Sequence, residues 1–86
     1  MKIHLALYGA LREVDPRGWL ELEVAEAATV ADLRAALVAY LESHASNARA
    51  SVVERSAFAS SDSVLAETSP LPAGAELAVL PPVSGG

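Results

Sequence analysis

The chain contains no cysteine. It therefore has no disulfide framework, no thiolate nucleophile and no cysteine-based metal site, and thiol usage says nothing about its compartment. Basic residues are scarce, six against eleven acidic ones for a net charge of −5. That balance disfavours nucleic acid, whose phosphates demand a basic face, and favours a partner with a basic docking surface. Lys2 is the only lysine. No stretch is apolar for the length of a membrane span, and the N-terminus lacks the basic segment and apolar run of a signal peptide, so the expected location is cytoplasmic. Catalytic patterns are missing too. There is no glycine-rich phosphate loop, helical histidine pair or nucleophile elbow, and no acid/base constellation. His4 and His44 stand forty residues apart and are not expected to share a metal. The serines between 43 and 69 read as loop solvation, and Trp19 as packing.

What is present is a single small domain with about half its residues apolar, enough for a globule but little more. Residues 2–8 alternate, with Ile3, Leu5 and Leu7 on one side and His4, Ala6 and Tyr8 on the other, which predicts a half-buried strand. Gly9 to Gly18 is read as the loop in which the chain turns back, with Arg12 and Glu13 in it and Asp15, Pro16 and Gly18 marking the turn. Leu20, Leu22 and Val24, set against Glu21 and Glu23, predict a second strand paired with the first. Thr29, with Asp32 three residues on, forms a capping-box signal. A helix is expected from Val30, with Val30, Leu33, Leu37, Tyr40 and Leu41 on one face and fraying near His44 to Asn47. Residues 48–55 give no clear period and are read as irregular. Ala57–Ser60 reads as a short strand around Phe58, Ser61-Asp62-Ser63 as a turn, and Val64-Leu65 as a brief return strand. Pro70, Pro72, Ala73 and Gly74 punctuate a loop before a last strand, Glu76–Leu80, with Leu77 and Val79 inward and Leu80 outward. The fold class is α+β, a mixed sheet of four to five strands with one main helix on one face. The terminal strands are expected side by side.

The end of the chain is the stretch that folding does not explain. Glycine costs backbone order and adds nothing to a core, yet the sequence closes Pro81-Pro82-Val83-Ser84-Gly85-Gly86. The prolines fix φ and lack amide donors, so they stop the strand and launch the chain in extended form. Fully extended, those six residues span roughly 20 Å. The division is a domain over 1–80 and a tail over 81–86. A carboxylate on so thin a tip can enter a channel that would exclude any side chain. The reacting group is thus expected to be the chain's own C-terminus.

With the opening strand ending in Tyr8, Leu11-Arg12-Glu13, Thr29-Val30 opening the helix with Leu33-Arg34 after it, Pro70-Leu71, Gly74 and the closing motif, the whole chain resembles the small sulfur-carrier subunits of molybdopterin synthase. These are ubiquitin-like β-grasp proteins. The family often has aromatic residues where this chain has Val79 and Leu80, and an asparagine in the turn occupied here by Ser61-Asp62-Ser63. The resemblance implies that Gly86 is adenylated with ATP by a separate activating enzyme, becomes a thiocarboxylate, and donates sulfur to form the dithiolene of molybdopterin. The active-site residues would then lie on a large subunit, so the chain is no enzyme alone and binds no cofactor itself. The AMP and sulfur on its C-terminus are transient covalent states. On that view Gly85 gives clearance, Val83 and Ser84 line the channel, and Leu80, Pro81 and Pro82 form a docking collar with Arg12 nearby. Carriers for thiamine thiazole, cysteine or tRNA thiolation, a ubiquitin-like modifier joined through Gly86, and a plain adaptor are the competing readings. Having a single lysine argues against self-linked chains.

Overall fold

A computed structural model describes residues 1–44, 47–72 and 76–82. Five strands form one mixed sheet: β1 (Lys2–Leu7), β2 (Trp19–Glu23), β3 (Ala57–Ala59), β4 (Val64–Leu65) and β5 (Glu76–Leu80), in the order β2-β1-β5-β3-β4. The predicted pairing of the first two strands is antiparallel, with Leu5 opposite Leu20. The terminal strands β1 and β5 run parallel at the centre, His4 level with Glu76 and Leu7 level with Val79. They consequently end at the same edge of the molecule.

The main helix α1 (Val30–Ser43) begins where the capping box predicted. Thr29 accepts from the Asp32 amide and Asp32 accepts from the Thr29 amide. The next orphan donors are met by the loop before β5, the Val30 amide bonding to Ser69 O and the Ala31 amide to Glu67 O, each at 3.0 Å. A helix start buried under a loop needs such partners. Val30, Leu33, Leu37 and Leu41 are buried against Ile3, Leu5, Leu7, Phe58, Leu77 and Val79, while Tyr40 is only half-buried. At the other end the Ser43 hydroxyl donates to Tyr40 O at 2.8 Å and the His44 ring stacks on Tyr40.

Two segments correct the sequence reading. Residues 47–54, read as irregular within 48–55, form a helix, α2 (Asn47–Glu54). Among its described side chains Ala50 and Val53 are buried and Val52 partly so, too short a pattern to register as a helical period. Its end is closed from outside: the Arg34 guanidinium donates to Val53 O at 2.7 Å and Ser56 O at 2.6 Å, and also pairs with Glu67. The same guanidinium lies 4.9 Å from the Phe58 ring centre. One α1 side chain thus ties helix, crossover and sheet together. The second correction is that Gly9–Val14, which contains Arg12 and Glu13 and was read as loop, is a 3-10 helix held down by buried Leu11. Glu13 pairs across to Arg49 of α2 at 3.4 Å. The predicted loop residues Ala73 and Gly74 lie outside the described residues.

Candidate functional site

The site is the edge where β1 and β5 finish. Along β5, Leu77 and Val79 point into the core and Leu80 points out, 37% exposed, as the alternation predicted. Leu80 stands opposite Ala57 on β3. Pro81 follows half-buried and Pro82 exposed. On the β1 side the chain leaves the sheet at Tyr8, 48% exposed, and turns through Gly9 with φ +56. A Cβ placed on Gly9 would stand 3.1 Å from the Pro81 ring. Arg12 is exposed on the 3-10 helix that starts at Gly9. The structure therefore brings Leu80, Pro81 and Pro82 to the end of the sheet where that helix begins. Val83, Ser84, Gly85 and Gly86 lie outside the described residues.

Continuous with this edge is the sheet face that α1 leaves uncovered. Its centre is a row of alanines, Ala6, Ala78 and Ala59, lined up by the register of β1, β5 and β3. They floor an open cavity of about 720 Å³ whose walls are Tyr8, Ser60, Ser61, Asp62, Pro72 and Glu76. Val64, 66% exposed, stands beside Ala59 across the β3-β4 pair. The signal for this face was in the sequence: Ala6, Ala57, Ala59 and Ala78 take the outward positions of three strands, where solvation alone would favour longer polar side chains. Of these Ala59 is buried and the other three are half-buried, and the exposed apolar groups around them are Tyr8, Val64 and Leu80; exposed apolar surface is where contact with another molecule is expected.

At the β2 end the same face is closed by stacking. His4 lies on Trp19 with ring centres 4.4 Å apart, and the Arg17 guanidinium sits 4.0 Å over the indole. Arg17 in turn makes three hydrogen bonds to Asp15, two from the guanidinium at 2.9 and 3.0 Å and one from its backbone amide at 2.9 Å, which hold the Asp15 carboxyl below the usual carboxylate range. The Met1 ammonium similarly lowers the Glu23 carboxyl. His4, Trp19 and His44 are thereby occupied in packing. Among the described residues no group of three potential ligands could hold a metal ion, and no helix is long and apolar enough to cross a membrane.

Comparison with known proteins decides the family. Residues 5–86 match the ThiS family. The chain belongs to that family. Over 98% of its length it is 35% identical to the molybdopterin synthase sulfur carrier subunit of Synechococcus elongatus, of which the match covers 96%. Among solved structures it superposes on SAMP1 from Haloferax volcanii with a TM-score of 0.70 and 30% identity, both chains fully covered. A second structure of that small archaeal modifier protein gives 0.69 and 28% identity, covering 95% of this chain and 98% of that one. The complex of subunits 1 and 2 of the molybdopterin-converting factor of Helicobacter pylori gives 0.62 at 23% identity over the full length of both chains, a likeness of fold. The β-grasp fold expected of this ThiS family member is confirmed.

Proposed function

We propose that this chain is the sulfur carrier of a molybdopterin synthase. The observation that carries the reading is its similarity, over nearly the whole length, to such a subunit, in a chain that closes on Gly85-Gly86. A carboxylate is a poor electrophile. An activating enzyme would first join the Gly86 carboxylate to the α-phosphate of ATP, releasing pyrophosphate. Sulfide, or a persulfide followed by reduction, would then displace AMP and leave a thiocarboxylate. That anion is the nucleophile offered to a cyclic pyranopterin precursor in the pocket of a large subunit.

The roles divide along the chain. Gly86 accepts and donates the sulfur, Gly85 keeps the tip narrow, and Val83 and Ser84 line the channel. Leu80, Pro81 and Pro82 dock, with Arg12 beside them and the alanine-floored face extending the contact. The net charge of −5 favours a basic surface on the partner.

Reconstituting dithiolene formation with an activating enzyme, a sulfur source and a large subunit tests this. Deleting Gly86 should abolish the product while leaving the thermal midpoint unchanged. Undiminished product from the shortened chain would refute the assignment. Gly85→Val, which widens the tip and restricts its backbone, should block transfer while sparing the fold. The similarity to SAMP1 favours one second reading, a protein modifier joined through Gly86. Formation of isopeptide-linked adducts in place of a sulfur-bearing carrier would support it.

A further inference from the structure

The two described glycines with positive φ are not equivalent. Gly18, at φ +78, has open space where a Cβ would stand, whereas a Cβ on Gly9, at φ +56, would come within 3.1 Å of Pro81 Cγ and 3.9 Å of its Cδ. The first distance is tighter than ordinary van der Waals contact. Glycine at position 18 therefore serves the turn alone. At position 9 it serves the turn and leaves a bare surface on which a proline ring from the far end of the chain rests. The contact follows from the topology: β1 and β5 are parallel and level, so Tyr8-Gly9 and Leu80-Pro81 leave the sheet side by side. Gly9 is itself anchored, since the 3-10 helix it begins is closed by the Leu11 amide on Tyr8 O at 3.1 Å and pinned by the fully buried Leu11 side chain.

We propose that Gly9 is a positioning residue for sulfur transfer: by seating the Pro81 ring it fixes the direction in which the tail leaves the sheet. The inference rests on the carrier reading. Five residues follow Pro81, a reach of at most about 17 Å when extended. A tilt at the seat redirects everything that follows, so a seated base narrows the directions open to the tail at its root and an unseated base widens them. Ordering the tail on the partner then costs more, and the loss falls on association rather than on the chemical step.

Asparagine tolerates the left-handed region better than other residues with a side chain, so Gly9→Asn adds the Cβ with little penalty in the turn, and Gly18→Asn is the matched control. With a large subunit titrated against the sulfur-loaded carrier, Gly9→Asn should raise KM about fivefold at nearly constant kcat, and Gly18→Asn should change neither. Pro81→Ala removes Cγ and should raise KM by a similar factor. The double variant Gly9→Asn/Pro81→Ala should be no worse than either single one, because both abolish the same contact. Effects that multiply, or a Gly9→Asn variant indistinguishable from Gly18→Asn, overturn the proposal. Should Gly9→Asn fail to fold, Pro81→Ala alone decides, since it leaves the turn intact: an unchanged KM overturns the seat. A partner-free readout separates this inference from the function on which it rests. The free wild-type protein should show a nuclear Overhauser contact between the Gly9 α-protons and the Pro81 ring, and its absence refutes the seat whichever function holds. A wild-type chain that shows the contact and never acquires sulfur refutes the function and leaves the seat standing.

Discussion

The two faces of the sheet are built from the same strands and do opposite work. Toward α1 the positions are Ile3, Leu5, Leu7, Leu20, Phe58, Leu77 and Val79, all buried. One residue along in each strand, the outward positions carry His4, Ala6, Tyr8, Trp19, Ala57, Ala59, Ala78 and Leu80, of which only Ala59, at 8% exposed, is buried. A period of two lets each strand commit one set of side chains to the core and leave the other set free. Stability therefore resides on the covered face, and on the proposed carrier reading the open face with the edge beside it is the surface available for recognition.

The sharpest way to break this contrast is to damage the covered face. Phe58→Ala removes a fully buried ring from the centre of the core and should cost about 3–5 kcal/mol in denaturant unfolding, a large share of the stability of so small a domain. A cost below about 1 kcal/mol would mean that the core is organised elsewhere. Arg34→Met comes next. It keeps the apolar stem but removes the Arg34 donor from Ser56 O and leaves Val53 O with the Ser56 amide alone, so unfolding should become easier by about 2 kcal/mol. An unchanged midpoint would show that α2 holds its place without Arg34.

On the open face the expected effect is smaller and of another kind. Leu80→Asp should weaken binding to the large subunit at least tenfold, about 1.4 kcal/mol, with little change in thermal midpoint. Full affinity in the folded variant would remove Leu80 from the interface, and a collapse of stability would place it in the core. The smallest effect belongs to the exposed ion pairs. Asp15 and Glu23 both titrate lower in the folded chain because of Arg17 and the Met1 ammonium. Their contribution is complete above the ordinary carboxylate range and is lost as pH falls below about 4 through the depressed values. Asp15→Asn should slightly flatten the fall of the thermal midpoint in acid, and exposed pairs of this kind are worth little. An acid profile identical to wild type would show that the Asp15–Arg17 pair contributes nothing.

How much was legible in the sequence follows the same division. Alternation in 2–8, 19–24 and 76–80 located three strands and correctly turned Leu80 outward, because a half-buried strand writes its burial as period two. Thr29 and Asp32 located the helix start to the residue, because capping is local chemistry. Helix α2 was missed because its buried side chains, Ala50 and Val53 among the described ones, make no period, and because Arg34, which bonds Val53 O and Ser56 O at its end, is distant in sequence. That the strand ends at Leu80 and the prolines follow it was legible as a stretch. The approach of Pro81 to Gly9 was not, since a contact between residues 9 and 81 exists only once β1 and β5 lie parallel.

The central claim is that the domain over 1–80 exists to present a C-terminus that carries sulfur. Intact mass of the chain after incubation with an activating enzyme, ATP and a sulfur source tests it most directly. A species heavier by the difference between one sulfur and one oxygen, absent when Gly86 is deleted, is the result expected. An unchanged mass, or only adducts joined to lysines of other proteins, would contradict it.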